Sequence, residues 1–179
     1  MIMKTSFLSG LALVLPILLV RFLLLSFLGK EPLKRAAYFP PVIGIEKTAY
    51  WVNILTTFLL FIIPFFLKIN LKGPLSIPGL CLFIAGLVLY FVSIIHFSKP
   101  GKNGVNSSGL YSISRNPMYV AFFLYFSGCC LLTRSWLLLT VLLVFQISVH
   151  FLIISEERWC KDQFGLSYSE YMKKVRRYI

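Results

Sequence analysis

The sequence predicts an all-α integral membrane protein with about five transmembrane helices and a cytoplasmic C-terminal amphipathic helix. Three observations predict it. Hydrophobic residues make up 58% of the 179-residue chain, and the mean hydropathy is +0.83. Apolar runs lie at about 5–28, 49–67, 75–97, 118–133 and 135–154. A hydrocarbon core about 30 Å thick takes roughly 20 helical residues, so the first three runs and the last span it, and the fourth is short. Finally, basic residues fall unevenly between the two faces that five spans define. Lys4, Lys68, Lys72 and Arg134 lie on one face, and thirteen of the remaining basic residues lie on the other. Positive charge marks the cytoplasmic side, so the amino terminus is expected outside and the carboxyl terminus inside.

The first run is about 24 residues long, contains Pro16 and Arg21, and lacks a small-residue cleavage site, so it reads as a retained span rather than a signal peptide. Arg21 lies near its end and is expected to snorkel to the interface. Residues 29–48 hold Gly29, Pro32, Pro40, Pro41 and Gly44, which rule out one uninterrupted helix and predict a loop capping the membrane surface. Residues 98–109 are rich in Gly, Ser and Asn, and their backbone N–H groups suit a polar ligand. The last two spans form a hairpin joined near Thr133-Arg134-Ser135, with the tail helix folded back over it. No repeat or second domain is evident: residues 1–179 read as one unit, with N-terminal helices and the capping loop over 1–95.

The net charge of +12 follows from topology and attraction to anionic membrane lipids. No basic run is interleaved with exposed aromatics, so nucleic acid is not an expected partner. Cys81, Cys129 and Cys130 fall within spans and Cys160 in the tail, which predicts no disulfide framework; no metal-ligand spacing occurs.

Two polar clusters stand out from the hydrocarbon-like background, and both fall on the basic face. Gly109-Leu-Tyr111-Ser-Ile-Ser-Arg115-Asn116-Pro117-Met118-Tyr119 opens the fourth span. Pro117 suits the first turn of a helix and Asn116 its N-cap, placing free N–H groups and a positive dipole end beside Arg115. Tyr111 and Tyr119 offer aromatic faces to a cation or a base. After the last span come Glu156 and Glu157, which either meet water or hold a cationic group. Farther on, Tyr168, Tyr171, Val175 and Arg177 are spaced to share one face of a surface helix.

In this order, Gly109-x-Tyr111-x-x-x-Arg115-Asn116-Pro117-x-Tyr119, Glu156-Glu157, Phe164-Gly165-x-x-Tyr168-x-x-Tyr171 and Val175-x-Arg177 resemble the isoprenylcysteine carboxyl methyltransferase and phospholipid methyltransferase superfamily. The resemblance spans residues 96–179, identified on that basis as a cofactor-binding half. It implies methyl transfer from S-adenosylmethionine to a lipophilic, membrane-embedded or prenylated acceptor. The cofactor-binding positions it implies are His96, Asn103, Gly104, Val105, Asn106, Tyr111, Asn116, Pro117, Met118, Tyr119 and Glu156. Arg115, Glu156 and Glu157 are the expected catalytic residues, and no metal is implied.

Three positions depart from the family pattern. Arg-His-Pro is replaced by Arg115-Asn116-Pro117, a loop histidine by Asn103, and the arginine that meets a substrate carboxylate by Leu152. A carboxylate acceptor needs only orientation and desolvation. An amine acceptor needs a base, for which Glu157, His96 and His150 are candidates. Glu157-Arg158-x-Cys160 also resembles membrane sterol reductases, which bind NADPH and are longer. A non-enzymatic membrane adaptor or small transporter is the remaining class.

Overall fold

A computed structural model describes residues 2–101 and 103–179; Lys102, counted above with the basic face, lies outside them. The described residues are helical, without a β-strand. The first apolar run forms α1 (Ile2–Leu19), a π-helical segment over Val20–Leu24 and the short α2 (Leu25–Leu28). Gly29, at φ 113°, then turns the chain into α3 (Lys30–Ala37). The expected capping loop is thus a short helix followed by a non-helical strap over 38–44.

Next come α4 (Ile45–Ile62), closed by a 3-10 turn at Ile63–Phe66, and α5 (Ser76–Phe97). The short α6 (Pro117–Thr133) and the 39-residue α7 (Trp136–Lys174) complete the chain. Among the described residues, four helical segments are long and apolar enough to cross a membrane, and α6 is a shorter apolar helix.

Small residues set the closest packing. Gly86 and Gly79 of α5 and Gly128 of α6 bring the two backbones together: a Cβ on Gly86 would strike Tyr125 N, and one on Gly128 would strike Phe83 N. Where lipid supplies no hydrophobic drive, such close approach maximises dispersion contacts. Gly10 of α1 lies likewise against Phe65, with a Cβ only 2.6 Å from its Cα. Leu13, Ile17, Leu60, Tyr125, Phe126, Leu138, Leu142 and Val149 form the core between these helices. The Tyr125 hydroxyl is satisfied there by donating to Leu13 O at 2.9 Å.

The α6–α7 hairpin turns through Arg134 at φ 53°, ψ 34°, a left-handed conformation normally taken by Gly or Asn. Its guanidinium donates to Lys72 O, and Ser135 caps α7 by accepting from Leu138 N at 3.2 Å. The tail departs from expectation. Gly165, at φ 54°, kinks α7, and the helix ends at Lys174. Val175 is extended (φ −118°, ψ 134°), so Val175 and Arg177 do not continue a helical face. Tyr168 and Tyr171 are buried against Val105 and Val175 rather than lying on a membrane surface.

Candidate active site

Residues 114–117 form the hinge on which the site is built. Arg115 N donates to Arg176 O at 2.9 Å, pinning the folded-back tail beside the start of α6. The Arg115 side chain is buried between the two: Nε and Nη2 reach Glu157 Oε1 at 3.0 and 2.8 Å, and Nη1 donates to Met172 O and Val175 O, each at 2.9 Å. Arg177 grips the same carboxylate, with Nη2 2.7 Å from Glu157 Oε2. Glu157 is therefore held by two guanidiniums with its side chain 6% exposed.

Asn116 occupies the N-cap position with Pro117 in the first turn, yet its side chain makes no capping bond. Its Nδ2 donates instead to Arg177 O at 3.1 Å, tying the helix start to the tail. One turn into α6, the Tyr119 hydroxyl donates to Glu156 Oε1 at 2.7 Å. The adjacent glutamates thus face different partners.

These groups line a cavity of about 660 Å³. Of the residues singled out from the sequence, Gly104, Val105, Asn106, Tyr111, Arg115, Asn116, Met118, Tyr119, Glu156 and Glu157 share it. His96, Asn103 and Pro117 do not line it. His96 packs under Gly109, its Nδ1 accepting from Leu110 N at 3.1 Å. His150 pairs with the Tyr178 hydroxyl at 2.8 Å, also away from the cavity. Leu152 is 1% exposed in the core.

The loop before Gly109 is folded by local contacts. Gly104 takes φ 76°, and a Cβ there would lie 2.7 Å from the Phe164 ring, so the loop and α7 touch where only a glycine fits. Asn106 donates from Nδ2 to Phe97 O at 3.3 Å, leaving its buried Oδ1 without a hydrogen-bond partner. Tyr111 is buried, its carbonyl accepting from the Tyr171 hydroxyl at 2.6 Å. Burial pushes its phenol well above the ordinary range, so it stays neutral.

The N-terminal half supplies groups that the sequence reading passed over. Arg21, an exposed residue, also lines the cavity, with Nη1 3.1 Å from the Tyr90 hydroxyl. Its signal was present: an arginine in an apolar run marks a functional site by default. Arg35 of α3 also lines the cavity, its guanidinium 4.6 Å from the centroid of Phe97. Desolvation lowers its pKa, but an arginine remains cationic. Tyr38, Phe39 and Pro40 of the strap complete that side. Arg158 anchors the strap through a bidentate pair with Glu46, at 2.6 and 2.7 Å, and a bond to Pro41 O at 3.1 Å. The lining also includes the apolar Ile17, Leu18, Phe22, Phe61, Phe122 and Phe145, with Asn53 and Thr57 among them.

Such a chamber can hold a cationic group at Glu156, anionic groups at Arg21 and Arg35, and an alkyl chain against its apolar lining. A phospholipid methyltransferase family model matches residues 75–167, from the start of α5 to just past the α7 kink. No curated protein and no solved structure matches the chain.

Proposed function

Because the chain belongs to the phospholipid methyltransferase family, we propose that it transfers a methyl group from S-adenosylmethionine to a lipophilic, membrane-embedded acceptor bearing a carboxylate of the isoprenylcysteine type. The observation that carries this reading is Glu156, a carboxylate in the cavity whose described hydrogen bond is to the neutral Tyr119 hydroxyl. Among the described residues no cation lies within ion-pair distance of it.

The residues present fit the cofactor. Its ammonium and sulfonium suit Glu156 and the faces of Tyr111 and Tyr119. Asn106 Oδ1, buried without a partner, offers an acceptor that an amino group would satisfy; leaving such an atom unpaired costs about 1–3 kcal/mol. Arg35, with no carboxylate in ion-pair distance among the described residues, suits the cofactor's carboxylate. Arg115 and Glu157 take a positioning role, since every nitrogen of Arg115 already serves Glu157 or a tail carbonyl. They hold α6, α7 and the tail in the register that puts Tyr119 beside Glu156.

Held by Glu156 and the faces of Tyr111 and Tyr119, S-adenosylmethionine would supply a sulfonium-activated methyl to an acceptor oxygen, the C–S electron pair staying on sulfur. For an ionised carboxylate no proton moves, so the chain needs to orient and desolvate rather than supply a base. The basic face, which carries the tail, is assigned to the cytoplasm, where the cofactor is available.

Isothermal calorimetry on the detergent-purified protein, with NADPH as the parallel ligand, tests the reading. Saturable binding of S-adenosylmethionine alone is expected. Binding of NADPH alone would replace the methyltransferase with a reductase, and binding of neither would leave a non-enzymatic role.

A further inference from the structure

Resting on that reading, we propose that Arg21 binds the anionic head group of the acceptor, forming a subsite distinct from the Glu156 pole with the acceptor's chain against the apolar lining of the cavity.

Arg21 sits in the first span, where a charge persists only against a partner or a polar cavity. Its described partner is Tyr90, a neutral hydroxyl on a residue 3% exposed. Among the described residues, no carboxylate lies within ion-pair distance of Arg21. The backbone around it is π-helical over Val20–Leu24, a local irregularity found frequently at functional sites. On the neighbouring stretch Ile17, Leu18, Phe22 and Leu25 also line the cavity, so the exposed Arg21 opens into a cavity whose nearby lining is apolar. Arg21 lines the same cavity as Tyr119, which is bonded to Glu156. The anion subsite therefore shares its cavity with the pole assigned to the methyl donor.

The chemistry of the cavity favours an anion over an amine here. An ammonium beside Arg21 would be repelled, and it would have to lose a proton to a base before its nitrogen could attack. His96 and His150 do not line the cavity, and Glu157 is held by Arg115 and Arg177. A guanidinium can instead hold one oxygen of a carboxylate and leave the other free to attack, as the ester-forming step above requires. Arg21 would thus do from the π-helical segment after α1 what Leu152, buried and apolar, does not.

The test is equilibrium dialysis of three probes against the full-length protein in detergent: N-acetyl-S-farnesylcysteine, its methyl ester, and lysophosphatidylethanolamine. The free acid should bind roughly tenfold or more tightly than the ester. Arg21→Gln should erase that preference while leaving ester binding and calorimetric S-adenosylmethionine affinity unchanged. Arg21→Lys should reduce the preference and Arg35→Lys should not; this pair decides the matter if Arg21→Gln does not fold. Lysophosphatidylethanolamine binding that depends on Arg21, without acid preference, would assign the anion to a phosphodiester. Equal binding of acid and ester with no Arg21-dependent lipid binding, binding of none of the probes, or a preference that survives Arg21→Gln overturns the subsite. Loss of S-adenosylmethionine binding by the wild type would instead overturn the methyltransferase reading, with the acid preference still measurable.

Discussion

Glu156 and Glu157 are neighbours in sequence with opposite electrostatic situations: Glu157 is clamped by Arg115 and Arg177 at 2.8 and 2.7 Å, whereas Glu156 meets the Tyr119 phenol at 2.7 Å. One carboxylate is used up in holding the fold and its neighbour remains available to a ligand. Successive residues of a helix point about 100° apart, so a single Glu-Glu pair midway along α7 serves both the tail and the cavity.

Substituting Glu157 with Gln separates these roles. It leaves the buried Arg115 guanidinium and the partly exposed Arg177 one sharing a neutral amide, and breaking a buried pair costs about 3–5 kcal/mol. Arg177 is 30% exposed at its side chain, which places the expected loss toward the lower figure. Thermal unfolding in detergent should show the destabilisation, and hydrogen exchange at 175–178 should accelerate as the tail releases. A variant as stable as the wild type, with a protected tail, would remove the clamp role.

The complementary change, Glu156→Gln, should leave unfolding almost untouched, because Gln still accepts from the Tyr119 hydroxyl. What it removes is the charge. A hydrogen bond to a charged group contributes about 1.5–3 kcal/mol, so S-adenosylmethionine affinity should fall roughly 10- to 100-fold by calorimetry. Unchanged affinity would take Glu156 out of the cofactor site.

The spans and the order of the polar motifs were legible in the sequence because both are one-dimensional: hydropathy marks residues 5–28 or 75–97 whatever they pack against. That Arg115 and Glu157 meet, and that Tyr119 rather than a cation meets Glu156, depends on how α6, α7 and the tail cross, and no spacing encodes it. Arg35 was illegible for the same reason; it enters the cavity only because Gly29 turns α3 back. The Tyr168, Tyr171, Val175 and Arg177 spacing fitted a helical face, yet the helix stops at Lys174, where the tail's carbonyls bond Arg115 and Asn116 instead. Arg21 was visible but was read as an interface anchor, since position along a run does not reveal which side of a helix faces a cavity.

Gly128→Leu should break the α5–α6 contact. Its Cβ would collide with backbone, Phe83 N and Gly79 O, which cannot rotate away as a side-chain tip can. Overpacking typically costs about 1–3 kcal/mol, and here the strain falls on α6 itself, the helix that carries Tyr119. Reduced thermal stability and loss of monodispersity on size exclusion are expected. Leu137→Ala, at a position 62% exposed, is the control that should change neither. A Gly128→Leu protein with wild-type stability would mean that the two backbones do not approach this closely.

The placement of the cofactor site in the cytoplasm rests on charge asymmetry, and it is testable without any knowledge of the acceptor. Lys173 and Lys72 are both exposed and lie on opposite faces in the assignment. In a background with the four cysteines replaced, Lys173→Cys should react with a membrane-impermeant maleimide in inside-out vesicles and not in intact cells; Lys72→Cys should show the reverse. The chemistry makes the outcome decisive, because S-adenosylmethionine is charged and does not cross a hydrocarbon core unaided, so the Glu156 end must open to the compartment that contains it. Labelling of Lys173→Cys in intact cells alone would put the tail, Arg115 and Glu156 on the outer face and would remove the cytosolic route to the site.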